Sequence, residues 1–213
     1  MTNYENIYNK LCSLKVTEDS KDDLAVLKYD VLDTIYHNIA KKKNKLNIYN
    51  LAKYIHSESM RRKSRGARFY YFDFRDKVAI TNDFITLVID SKFADIDFPF
   101  ERNNTVTFDA IYDIVSNCKR YKFDMPDFIN YKFKYKEFYL GNKRNNKIYY
   151  TFEDDSQSVN AKYLLNVYQY VDSDFVFELA YDKRDPIRVY KDDIEIFMMP
   201  VVSDKNKKSG FSL

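Results

Sequence analysis

Between Ser158 and Val202 the spacing of apolar residues changes period once. That change restricts the chain to folds in which a short helix runs directly into antiparallel strands. Ala161, Leu164, Leu165, Tyr168 and Val171 recur at helical spacing and define one apolar face. Asn160 stands at the N-cap position, where its amide oxygen can take an orphan backbone N–H. From Phe175 the period is two. Phe175, Phe177, Leu179 and Tyr181 alternate with Val176, Glu178 and Ala180, a turn covers Asp182–Pro186, and Ile187–Tyr190 reads as the next strand. A last strand places Ile194, Ile196 and Met198 on one side and Phe197, Met199 and Val201 on the other.

The same switch occurs twice upstream. Ile48, Leu51, Ala52 and Ile55 predict a helix over Leu46–Ser57, followed by three strands in RFYYFDFR, KVAITN and FITLVIDSKF, with turns near Asp76 and at Asn82–Asp83. Phe108, Ile111, Tyr112, Val115 and Cys118 predict a helix over Thr107–Cys118. After it, Tyr131, Phe133 and Tyr135 alternate with lysines, and a hairpin around Gly141–Asn146 leads into KIYYTF. Ahead of these units lie a short helix at Tyr4–Leu14 and a longer one with Leu24, Leu27, Val31, Ile35 and Ile39 on its apolar face. Asp22 and Asp23 suit the positive end of the longer helix, and Lys41–Lys43 its negative end. The segment SMRRKSRGAR, residues 59–68, has no apolar period and reads as a loop. The expected fold is therefore α+β, with short helices covering one face of antiparallel sheets. Its parts are a helical N-terminal segment (1–43), two helix-and-strand units (44–122 and 123–203) and a flexible tail (204–213).

Several function classes are excluded. Every apolar run is interrupted before it reaches membrane-spanning length, and the opening residues MTNYENIYNK lack the basic start and apolar block of a secretory leader. Cys12 and Cys118 read as reduced thiols of a cytoplasmic protein, and with only His37 and His56 beside them a zinc site is not expected. Three glycines, at 66, 141 and 210, do not make a phosphate loop. Asp73, Asp76, Asp83, Asp95 and Asp97 raise the question of a magnesium-dependent nuclease. Turn chemistry accounts for Asp76 and Asp83, and no catalytic lysine or histidine lies at a fixed short spacing. No enzyme activity and no cofactor are expected. The 37 Tyr and Phe residues have two readings, a stacking surface for bases or simply the strand preference of aromatics, and the strand reading carries more weight.

Net charge is only +3, but it is unevenly distributed. Residues 41–68 hold ten basic side chains and one acidic one, whereas residues 69–100 hold six Asp against Arg75, Lys77 and Lys92.

The residues Asn160, Lys162, Tyr163, Leu164 and Leu165, with the later Phe197, Met198, Met199, Pro200 and Val201, carry a resemblance. This C-terminal stretch resembles the last domain of the bacterial DNA polymerase III sliding clamp family, whose helix reads N-x-K/R-Y-L-L-x-x-L and whose end reads hydrophobic-x-Met-Pro. The segments ARFYYFDFRDKVAITNDFITLVID and NNTVTFDAIYDIV are similar to clamp segments in pattern more than in identity. The chain departs from the family at Asn166, where Asp is usual, and at Tyr168 and Tyr170. It also offers three helix positions where two full repeats need four.

The resemblance implies repeated units whose helices line a channel around duplex DNA, touching phosphates without reading bases. It points to Lys53, Arg61, Arg62, Arg65, Lys119, Arg120 and Lys162 as DNA contacts. It also implies self-association, and a hydrophobic groove at Phe197, Met199, Pro200 and Val201 that receives peptides of DNA polymerases or other clamp clients. A competing expectation is a winged-helix DNA-binding protein over residues 24–90, with two helices followed by a β-hairpin wing. A further one is a clamp-like protein that binds or inhibits another protein.

Overall fold

The computed structural model describes residues 7, 10, 21–62, 68–92, 96–103, 108–123, 136–137, 148–152 and 157–201. Helix α1 (Lys21–Lys42) and helix α2 (Leu46–Arg62) run antiparallel. Tyr29 meets His56, and the Asp33 carboxylate accepts from Tyr49 Oη at 2.7 Å and from Lys53 Nζ at 2.7 Å. Asn44 turns the chain between them at φ 57°, a left-handed position that Asn tolerates. The Asp33 contacts also set the rotation of α1. Leu27 and Ala40 face inward, while Leu24 and Ile35, expected on the apolar face, are exposed.

Three strands follow: β1 (Phe69–Phe74), β2 (Lys77–Asn82) and β3 (Ile85–Asp90). Asn82 builds the second turn. Its Oδ1 accepts from the backbone N–H groups of Phe84 and Ile85 at 2.9 and 2.8 Å, and its Nδ2 donates to Ile55 O at 3.0 Å, tying the turn to α2. Next come α3 (Asp109–Ser116), β4 (Arg120–Phe123), β5 (Lys136–Glu137), β6 (Ile148–Thr151), β7 (Ser158–Asn160) and α4 (Ala161–Tyr170). The chain closes with β8 (Val176–Ala180), β9 (Ile187–Lys191) and β10 (Ile194–Met198). Asn160 is the expected N-cap, accepting from Lys162 N at 3.0 Å.

The strands form a seven-stranded antiparallel sheet in the order β1-β2-β3-β10-β9-β8-β4, and a smaller sheet β5-β6-β7. The fold is α+β. Its centre is the pairing of β3 with β10, in register Ile89 with Ile194, Leu87 with Ile196 and Ile85 with Met198. Two helix-strand-strand-strand runs, α2-β1-β2-β3 and α4-β8-β9-β10, thus meet through their third strands. One sheet face carries Tyr71, Val78, Ile80, Leu87, Ile196 and Val189 into a core shared with α2 and α4. The alternation at Ile194, Ile196 and Met198 against Phe197 is as the period-two reading expected.

Three expectations are corrected. Helix α2 continues to Arg62, so the first residues of the supposed loop 59–68 are helical, because Glu58 and Ser59 are buried in its last turns. Helix α3 does not share the face of α2 and α4. Tyr112 packs on Phe74 and Phe197, which point to the opposite side of the sheet. The division between 122 and 123 falls inside β4, and one sheet spans both proposed units. Helix α2 packs against the sheet, α1 and α4.

Residues 131–135, 141–146 and 204–213, with Cys12, Arg65 and Asp95, lie outside the described residues, and the 4–14 helix is described only at Ile7 and Lys10. Among the described residues no helix is long and apolar enough to cross a membrane.

Candidate nucleic-acid interface

Helix α2 ends, and β1 begins, at one corner of the molecule. Arg61 and Arg68 bracket that junction, and both are exposed. The antiparallel course of α1 brings exposed Lys28 to the same corner. Lys28 and Arg68 line a cleft of about 770 Å³, within the usual range for a ligand site. Tyr29 and Lys28 from α1, His56 from α2, Phe69 from β1 and Phe100 from the following segment line it. The sheet edge beneath is capped by Asn103, which accepts from Tyr71 N through Oδ1 at 2.8 Å and donates from its own N–H to Tyr71 O at 2.6 Å.

The electrostatics follow from burial and neighbours. Burial, then Asp33 and Asp30, push the Tyr29 phenol up to about 12, so it stays a neutral donor. Burial and then Lys53 hold the His56 imidazole below its ordinary value. A neutral His56 suits ring stacking and leaves the positive charge of the corner to Lys28, Arg61 and Arg68.

The sequence-predicted DNA contacts do not converge. Lys53 is held by Asp33 between α1 and α2. Arg61 pairs with Glu58 at 3.0 Å, and Lys162 of α4 pairs with the same carboxylate. Glu58 is only 3% exposed and so joins the two helices by charge. Arg120 is half-buried. Its guanidinium donates to the carbonyls of Val115, Ser116 and Cys118 at the end of α3 and lies over the Phe197 ring at 5.9 Å. That is a helix-terminus role, which a cation at a C-terminus fits. Lys119 is exposed beside it, in the connection between α3 and β4. Arg62 is helical, and its side chain lies outside the described residues.

The expected partner groove is likewise divided. Phe197 is 4% exposed under Tyr112 and Arg120, whereas Met199 is 45% exposed. Met199 N donates to Phe84 O and Val201 N to Ser158 O, so the Met-Pro segment seals β10 against the β2–β3 turn and β7. The 770 Å³ cleft includes none of the four.

Two arrangements escaped sequence reasoning. On the α3 side of the sheet, Glu195 accepts from Tyr112 Oη and pairs with Arg188 at 2.7 Å, and Arg188 also reaches Glu178 at 3.4 Å. Opposed charges at alternate positions of β8, β9 and β10 were the available signal. Gln157, also buried, accepts from Ala180 N at 3.0 Å and donates to Asp185 O at 2.7 Å, locking β7 to the β8–β9 turn.

Three of the acidic residues considered for metal chemistry have other partners. Asp73 pairs with Arg102, Asp97 accepts from Tyr71 Oη at 2.6 Å, and Asp83 accepts from Arg68 N at 3.2 Å. Among the described residues no group of three or more His, Cys, Asp or Glu side chains is arranged to hold a metal ion. Compared with known proteins, the chain matches no family model, no curated protein and no solved structure.

Proposed function

We propose that the chain is a non-catalytic nucleic-acid-binding protein that contacts DNA phosphates without reading sequence, at the corner where α1, α2 and β1 meet. The observation that carries this reading is the placement of exposed Lys28 and Arg68 on an open cleft walled by aromatic rings. Phosphate contacts by lysine and arginine release counterions and are indifferent to base identity. In this reading the protein does not encircle DNA in a helix-lined channel. The cations of α2 and α4 that would face such a channel are Lys53 and Lys162, and both are paired with carboxylates.

Clamp-like repetition enters the proposal in reduced form, as two units and not three. Its support is the shared helix-strand-strand-strand order and the pairing of third strands at the sheet centre. Of the partner surface that the clamp resemblance implies, Met199 is the exposed member available to a client peptide.

The test is an anisotropy titration of the full chain with labelled duplexes at several salt concentrations. Two phosphate contacts give a log–log salt slope of about −1.8, so affinity falls roughly 12-fold between about 50 and 200 mM salt. Arg68→Ala is expected to reduce the slope by about 1 and to weaken every sequence equally. Absence of binding at the lower salt concentration overturns the proposal.

A further inference from the structure

The rings behind the cleft form one column. Tyr49 and Phe98 stack with centroids 5.7 Å apart and planes 11° apart, and Phe98 and Phe100 follow at 6.2 Å and 3°. Phe100 and His56 complete the column at 4.4 Å and 26°. Its inner end is closed, since Tyr49 and Phe98 are 0% and 3% exposed. Its outer end is not closed: Phe100 and His56 are half-buried and form part of the cleft wall. Tyr29 lies beside His56 at 6.0 Å and 24°, and Phe69 stands edge-on to His56 at 4.7 Å and to Phe100 at 5.2 Å. Aromatic clusters formed by packing alone settle into offset and edge-to-face pairs within the core. This stack has that ordinary offset geometry and differs in leading outward to open volume, where a flat ring can extend it.

Charge at the rim selects among flat ligands. Exposed Lys28 and Arg68 line the cleft, as does exposed Glu101. An anionic group attached to the flat ring is drawn toward the two cations and away from Glu101. A planar ring carrying an adjacent anion is the chemistry of a nucleotide. A paired base is not available to such a site, because its faces are already stacked within the duplex.

We infer that the cleft takes one unpaired nucleotide, with its base against the ring column and its phosphate toward Lys28 and Arg68. The inference rests on the nucleic-acid reading above and narrows it to single strands or open strand ends. The same chemistry is offered by a free mononucleotide and by a nucleotide within a strand, and the assay separates the two.

The experiment compares three probes on the full chain: labelled oligothymidylate of about 16 nucleotides, a duplex of equal length, and unlabelled thymidine monophosphate as competitor. Phe100→Leu keeps apolar volume and removes the ring, while His56→Leu is a second variant in case the first perturbs folding, which circular dichroism checks. The expected result is tighter binding of the single strand than of the duplex, with roughly ten-fold weaker single-strand binding in each variant and unchanged duplex binding. Equal binding of both polymers, unaffected by either variant, overturns the cleft while leaving phosphate binding intact. A mononucleotide that binds when neither polymer does supports the cleft and overturns the proposed function. Loss of duplex and single-strand binding together in folded variants overturns the assignment of the rings to bases alone.

Discussion

Glu58 carries a carboxylate almost out of reach of water and is flanked by Arg61 on its own helix and Lys162 on α4, cations 69% and 45% exposed. Both cations were legible in the sequence as basic, and both were assigned to DNA. Their shared carboxylate was not legible, because Glu58 and Lys162 are separated by 104 positions and meet only through the fold. Since the cations are open to solvent, the arrangement stabilises only modestly. Glu58→Gln is expected to cost about 1 kcal/mol in urea denaturation and to tighten DNA binding several-fold by releasing two cations near the corner. His56 gives a second residue-scale expectation. Burial and Lys53 hold it below 6.5, so the unfolded chain takes up that proton first as pH falls, and stability declines until the folded imidazole protonates. Denaturation midpoints should therefore drop as pH falls through the ordinary histidine range at about 6.5, and His56→Leu should flatten that limb. Asp113 and Asp172, held below 3.8 by Arg75 and Lys191, lose their contributions in a lower window and leave this one visible.

At the scale of elements, local signals were read well and their ends less so. Asn160 was legible as an N-cap because the cap uses only its own side chain and a backbone N–H two residues on. Asn160→Ala is expected to lower stability by about 1 kcal/mol, measured as a shift of the urea midpoint. Helix α2 ran past its expected end because burial of Glu58 and Ser59 depends on the sheet and α4, which no local period reports. Helix α3 shows the limit of periodicity most clearly. Phe108, Tyr112 and Val115 mark an apolar face, yet a face does not say which side of a sheet it covers. The decision rests on Phe74 and Phe197 supplying ring contacts and Glu195 accepting from Tyr112. Tyr112→Phe keeps the ring packing and removes that donor, with an expected cost of about 1 kcal/mol by the same assay.

For the whole molecule, the strands and their alternation were legible, but their order was not. The central β3–β10 pair joins segments more than a hundred residues apart, and hydrophobic alternation fits any neighbour of the same period. That pairing merges the two expected units into one sheet and leaves α3 on the face opposite α2 and α4. The concentration of basic residues over 41–68 was visible in the sequence, but its meaning depended on which members the fold neutralises. Lys53 is taken by Asp33, whereas Arg68 remains exposed with Lys28 beside an aromatic cleft that no spacing rule indicated. The central claim is that this corner holds nucleic acid through its phosphates. The most direct measurement is the affinity of the full chain for two duplexes of unrelated sequence, followed across about 50 to 200 mM salt. The account predicts equal affinities and a log–log slope of about −1.8 that flattens in Lys28→Ala and Arg68→Ala. A preference for one sequence, or binding that ignores salt and both substitutions, would contradict it.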